Sequence, residues 1–262
     1  MGQRAYLPKM EFHRGVGLKI VRLASRRAWA ALLAAAILLP VPGSAADGPK
    51  RSGPPVVVEL FTAQGCASCP QANQMLGRIA EQDRALVLTF SVDYWDYLGW
   101  RDTFAKPEFT ARQRAYVSRL KLKEIYTPAV VVGGRREAPA VDQAQVEALI
   151  ESDAKTRRDP PSVRFLYGGN FVRVGAGARP PRGGEVWLVR YDPGPREVRV
   201  RDGENAGRTV AVHNVVRELE RLGPWRGRMR TYAVPKASNA QLRTVVLLQG
   251  VEGGPIVASA QR

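Results

Sequence analysis

Cys66 and Cys69 are the only cysteines of the chain, and they stand together in Cys66-Ala67-Ser68-Cys69-Pro70. Two intervening residues let both sulfurs reach disulfide distance within one helical turn. Where a helix starts at such a pair, free N–H groups and the helix dipole stabilise a thiolate on the first cysteine. Cys66, at an exposed turn, is therefore the expected nucleophile. Cys69, inside the helix, is the expected resolving thiol that attacks a mixed disulfide. A purely stabilising bridge is a poor alternative, because closing so short a loop removes only about 2 kcal/mol of unfolded-state entropy. Soft thiolates also suit Cu(I) or Zn. Past residue 46, however, the only imidazole to join the two thiolates is the distant His213, too little for a closed zinc site. His213 reads as a structural residue, and the chemistry calls for no metal and no other cofactor.

The segments around the pair must place it. Val56 to Phe61 is a near-continuous apolar run, which suits a strand buried on both faces. After a loop with Gly65, apolar residues Ala72, Met75, Leu76, Ile79 and Ala80 fall at helical spacing, with Pro70 in the first turn. Residues 85–92 read as a second buried strand and 108–122 as a helix. Thr127-Pro128 then precedes a third strand, Ala129 to Val132, closed by Gly133-Gly134 and a short partner at 137–140. Asp142 can cap a last helix. The order β-α-β-α-β-β-α is an α/β layer architecture. Ligands collect at the carboxyl ends of strands in open parallel sheets, so the loop after the second strand should flank the thiols. Its Trp95 and Tyr97 are candidates for a peptide-binding wall. The alternative is that they pack internally.

A polar, Pro-rich break at 156–161 separates this half from a different rhythm. Beyond it, short apolar or alternating runs punctuated by Gly and Pro suggest a small antiparallel β-rich domain. Residues 214–222 fit helix or strand on pattern and are read as strand. Charge divides at the same place. Residues 47–155 hold 14 basic and 14 acidic side chains, whereas 156–262 hold 19 basic and 9 acidic. The surplus suits anionic lipid or an acidic partner, or simply Arg-rich solvated faces.

The first 46 residues carry a basic region, the apolar run Ala28 to Val41 and the small residues Gly43 to Ala46, as a secretory signal peptide does. The apolar run falls short of the roughly 20 residues a membrane span needs. Ser25-Arg26-Arg27 leaves Sec and twin-arginine export both open. The expected division is 1–46 signal peptide, 47–155 α/β domain and 156–262 β-rich domain. Export places the mature chain in the periplasm or outside the cell and argues against nucleic acid as a partner.

Strand, Cys-x-x-Cys-Pro, helix, strand and a later Thr-Pro ahead of a hairpin resemble the thioredoxin superfamily over about residues 55–155. The resemblance implies a central mixed sheet flanked by helices. It implies a cis Pro128 packed against the disulfide, and Thr127 pairing its backbone with an extended substrate. Gln64-Gly65 replaces the Trp that precedes the first cysteine in thioredoxin. Leu60 stands where thioredoxin has its buried Asp, with Glu59 one residue away and facing the other side. VVVELFTAQGCASCPQA, VDYWDYLGW, YTPAVVVGG and GENAGRTVAVHNVVREL together are similar to an uncharacterised family of secreted thioredoxin-like proteins, domain of unknown function 1223. The expected function is thiol–disulfide exchange by Cys66 and Cys69 with protein thiols or disulfides, with Thr127, Pro128, Trp95 and Tyr97 binding substrate. Alternatives are a non-catalytic envelope binding protein, which could touch the envelope peripherally through the Arg-rich half, or a copper-handling chaperone of the same fold.

Overall fold

The computed structural model describes residues 55–156 and 159–262. The signal peptide read at 1–46 lies outside the described residues, as do Arg157 and Arg158. Strand β1, Val57–Thr62, is buried along its whole length and runs parallel to β2, Leu86–Ser91, with Val57 facing Leu86 and Thr62 facing Ser91. Apolar runs without alternation suit this central place, since both faces are covered. Helix α1, Cys69–Glu81, lays Ala72, Met75, Leu76 and Ile79 against Val58, Leu60 and Val87 on one face. Helix α2, Pro107–Leu120, covers the other face, where Phe109 and Tyr116 meet Phe90 and Phe61 edge-on.

Strand β3, Ala129–Val132, pairs antiparallel with β1 and turns through Gly133-Gly134, both at positive φ, into β4, Arg136–Pro139. Helix α3, Gln143–Thr156, follows, and the Asp142 carboxylate accepts the Gln145 N–H at 3.2 Å, as an N-cap does. No described helix is long and apolar enough to cross a membrane.

The rest of the chain is built of strands: β5 (Val163–Leu166), β6 (Phe171–Val174), β7 (Gly184–Arg199), β8 (Thr209–Trp225), β9 (Arg230–Ala233), β10 (Arg243–Gly250) and β11 (Ile256–Gln261). Residues 214–222 lie within β8. Strands β5, β6 and β9 form a small antiparallel sheet in the order β5-β6-β9.

The others do not form a sheet of their own. They extend the first one into eight strands in the order β11-β10-β7-β8-β2-β1-β3-β4. The expected boundary between residues 155 and 156 therefore marks a change of composition, and sheet and core run across it. Two local features let β8 dock. The Asn214 amide donates to the Val87 carbonyl at 3.1 Å, beside the pairing of Thr89 with Val215. Gly77 of α1 leaves room for β8, since a Cβ there would lie 2.7 Å from the His213 ring. His213 thus sits in the helix–strand contact, two turns along α1 from Cys69. One apolar cluster joins Phe61, Phe90, Phe109 and both cysteines to Val189, Val216, Val245 and Leu247. Another packs the small sheet on β7, β8 and β10 through Val172, Val174, Leu188 and Trp225.

Candidate functional site

Cys66 and Cys69 are joined by a disulfide, with their Cα atoms 5.4 Å apart. They lie where β1 hands over to α1, and Cys69 is the first residue of the helix. The Cys69 N–H donates to the Cys66 carbonyl at 3.2 Å, which closes the turn. Asn73, one turn into α1, donates to Thr62 Oγ1 (2.8 Å) and to the Cys69 carbonyl (3.0 Å), tying the helix start to the strand end. Ser68 Oγ lies 3.6 Å from Cys66 Sγ.

The expectation of an exposed Cys66 is corrected. Both cysteines are only 1% exposed, while Ala67 and Ser68 between them face solvent. Residues 200–208, the connection between β7 and β8, are bonded to this turn. The Asn205 amide donates to the carbonyls of Gln64 (2.9 Å) and Cys66 (2.7 Å), and the Ala67 N–H donates to Glu204 Oε2 at 2.9 Å.

The loop after β2 supplies the other wall. Gln64 donates through Nε2 to Thr103 Oγ1 (2.9 Å), and its Oε1 accepts the Trp100 indole N–H (2.9 Å). Its backbone N–H donates to Asp102 Oδ2 at 2.7 Å. Gln64 is thus the joint between the cysteine turn and this loop. Trp95 is half-buried and packs on the apolar cluster that contains both cysteines. Tyr97 is 82% exposed.

The Thr127–Pro128 bond is cis, and Pro128 is buried. The last β1–β3 pairing is Phe61 with Ala129, so Thr127-Pro128 sits one step further, at the strand end that carries the cysteines. Tyr94 donates to Gln113 Oε1 (3.3 Å), and Gln113 donates to the Tyr126 carbonyl (2.7 Å), linking the loop to this segment. Burial pushes the Tyr94 hydroxyl up to about 12, so it remains a donor.

Four residues that hold the site, Gln64, Asp102, Glu204 and Asn205, have no assigned role in the sequence reading. Asp102 carried a local signal in its acidic, aromatic surroundings. Glu204 and Asn205 lie far along the chain in a stretch that marked only family likeness.

Asp102 is buried, and burial is the chief cause that raises its carboxyl from 3.8 to about 6. The Gln64 and Phe104 N–H groups pull the other way, and Asp96 adds to the rise. The folded chain then binds this proton more tightly than the unfolded chain does. Its contribution to stability is complete below about pH 4 and is lost as pH rises toward 6. Asp102→Asn should remove that dependence, which amounts to about 2–3 kcal/mol in the parent. Denaturation midpoints at intervals between pH 4 and 7 check this, and parallel profiles for parent and variant would refute it.

Residues 57–249 match the model of a family described as protein of unknown function (DUF1223). A crystal structure of a protein from Agrobacterium tumefaciens, solved by a structural-genomics consortium, is 29% identical with a TM-score of 0.65. The match covers 81% of this chain and 95% of that one. HBP35 of Porphyromonas gingivalis shares the fold at 12% identity and a TM-score of 0.54, over 81% of this chain and 76% of that one. Among curated proteins none matches the chain.

Proposed function

The chain belongs to the DUF1223 family, and we propose that it is an exported thiol–disulfide exchanger of thioredoxin-like design, acting in the periplasm or outside the cell on protein thiols or disulfides. The observation that carries this reading is the disulfide-linked pair at a strand-to-helix junction, Cys69 opening α1. The helix dipole at that junction favours a thiolate on Cys66, ahead of the helix, over Cys69. Thr127-Pro128 at the same strand end supports the superfamily likeness, and in this reading its backbone would meet an extended substrate. Trp95 would line that substrate's path from the apolar side.

The exchange balances without a cofactor. In the reduced chain the Cys66 thiolate attacks a substrate disulfide. That bond breaks, a Cys66–substrate bond forms, and the departing substrate sulfur takes a proton from solvent. Cys69, having lost its proton, then attacks Cys66 Sγ and releases the second substrate sulfur. Two electrons pass to the substrate and the Cys66–Cys69 bond is restored. With a reduced substrate the same steps run backward.

Cys69→Ser removes only the second attack. Mixed disulfides on Cys66 should accumulate in cells making this variant and vanish in the double cysteine variant. Non-reducing electrophoresis reads the outcome. If no reducible adduct forms, the non-catalytic envelope protein becomes the better account, and the burial of both sulfurs is the observation that favours it. Cu(I) bound by the reduced parent, and lost with either cysteine, would favour the copper chaperone.

A further inference from the structure

Resting on that reading, we propose that the tip joining β7 to β8, residues 200–208, is a built-in cap that closes over Cys66. Glu204 and Asn205 are the positioning residues that hold it shut and set the ionisation of the thiol. The active site is thereby completed by a segment about 140 residues away along the chain.

The tip is a self-contained unit. Its backbone closes on itself through Gly207 N–H to the Val200 carbonyl (3.0 Å), Ala206 to Gly203 (3.0 Å), and Arg208 to Asn205 (3.0 Å). Gly203 and Gly207 supply the positive φ values of 77° and 79° that so tight a turn needs. Between residues 201 and 208 Asn205 alone is buried, and it is fully so. Both donors of its amide cross to the cysteine turn, and its Oδ1 accepts from Arg208 at 3.3 Å.

Val200, at the base of the tip, is fully buried and fixes the hinge; beyond it, in Arg-Asp-Gly-Glu-Asn-Ala-Gly-Arg from 201 to 208, no large apolar side chain anchors the chain. A segment held by a few hydrogen bonds without apolar burial opens at low cost, whereas the strands beneath it stay paired. The Gly65–Gly203 approach shows how closely the cap sits, since a Cβ on Gly203 would lie 3.7 Å from the Gly65 Cα.

Charge gives the cap a second effect. Glu204 occupies the N–H of Ala67, immediately after Cys66, and Asp102 occupies the N–H of Gln64, two residues before it. Asp202 lies against Gly99 at the rim, Asp96 accepts the Asp102 N–H, and the cations of the tip are Arg201, at its base, and Arg208, which is bonded to Asn205. Carboxylates therefore take up backbone N–H groups on either side of Cys66 that could otherwise face a thiolate, and like charge nearby disfavours one. Opening the cap carries Glu204 and Asp202 away and frees the Ala67 N–H. Access and activation are thus coupled. With the cap open, a substrate thiolate attacks Cys66 Sγ, the Cys66–Cys69 bond breaks, the mixed disulfide forms, and Cys69 leaves as a thiolate that takes a proton from solvent.

The test uses the chain lacking the leader, with the variants Asn205→Ala, Asn205→Asp and Glu204→Gln. Reduction of the oxidised protein by a phosphine reads access, since a phosphine needs no thiolate. Asn205→Ala should accelerate it about tenfold at every pH, the equivalent of about 1.4 kcal/mol for the two hydrogen bonds it loses to the cysteine turn. Asn205→Asp keeps the size, removes both donors, and should do the same. Alkylation of reduced Cys66 across pH reads ionisation, and Glu204→Gln should lower its midpoint by about half a unit to one unit. If Asn205→Ala does not fold, Asn205→Asp and the Glu204→Gln midpoint decide. Reduction rates within twofold of the parent, together with an unmoved midpoint, overturn the cap. Exchange with glutathione distinguishes the two readings. A parent that exchanges while the variants match it has lost only the cap. Variants that open faster, in a protein that never exchanges with glutathione or protein disulfides, keep the cap and lose the exchanger.

Discussion

Arg112→Ala is expected to destabilise the protein by about 3–5 kcal/mol, the loss typical of removing one partner from a buried ion pair. Glu59 lies in the middle of β1 and is fully buried. Its Oε1 accepts from Arg112 Nε at 2.7 Å, and its Oε2 accepts a short hydrogen bond from the Tyr116 hydroxyl. Arg112 Nη2 also donates to Gln249 Oε1 at 3.0 Å, and Gln249 Nε2 donates to Tyr116 (2.9 Å) and to the Gly254 carbonyl (2.8 Å). Burial pushes the Tyr116 hydroxyl well above its usual range, so it stays protonated and able to donate. The guanidinium faces the rings of Phe90, Tyr116 and Trp187 at 5.4–5.6 Å.

Alanine at 112 would leave the Glu59 carboxylate with no counter-charge, strand the Gln249 oxygen, and empty the space between three rings. The double variant Glu59→Gln with Arg112→Met removes both charges at similar volume and should recover most of the loss. Urea denaturation followed by tryptophan fluorescence measures both. A loss under about 1 kcal/mol for the single variant, the size of an exposed pair, would show that this network does not carry the joint between β1, α2 and β10.

That network was half legible. Glu59 inside an apolar run announces a buried acid, but its partners lie in α2 and near the end of the chain, and spacing says nothing about contacts so distant. The strands and helices around Cys66 and Cys69 were legible because each buries a face whose period is written locally. Thr127-Pro128 was legible because its hairpin follows immediately. The eight-stranded sheet was hidden by two local signals that pointed elsewhere. Charge changes abruptly after residue 155, which reads as a boundary, yet the Arg-rich surplus belongs mainly to outward positions. Pro193 and Pro195 interrupt a run that is one strand in the structure, where the pairing slips between Asp192 and Pro195. The buried state of Cys66 could not be read from its own neighbourhood. A turn before a helix is ordinarily exposed, and here the turn joins the apolar cluster and is bonded by two polar side chains delivered by a long hairpin.

The same hairpin leads to the expectation that residues 55–155 produced alone, without the second half, will not fold cooperatively. Cutting there removes β7, β8, β10 and β11 from the sheet and leaves β2 as an open edge of buried apolar residues. Leu86, Leu88, Phe90, Phe61 and Tyr116 lose Val189, Tyr191, Val216, Val245, Leu247 and Ile256 from their shared cluster. Each large side chain returned to water costs about 1.5–3 kcal/mol, so a handful of them exceeds the 5–15 kcal/mol by which a whole domain is stable. Gln249 is lost from the Glu59–Arg112 network, which adds an unsatisfied buried group to the exposed surface. The fragment should bind a hydrophobic dye and lack both a sharp thermal transition and near-ultraviolet ellipticity, while the chain from residue 55 to 262 shows one transition. Limited proteolysis within 156–161 should then nick the intact protein without separating its parts, because eight strands still hold them. A fragment that melts sharply and keeps its disulfide chemistry would instead make 55–155 a domain in its own right, with the hairpin an addition to a finished core.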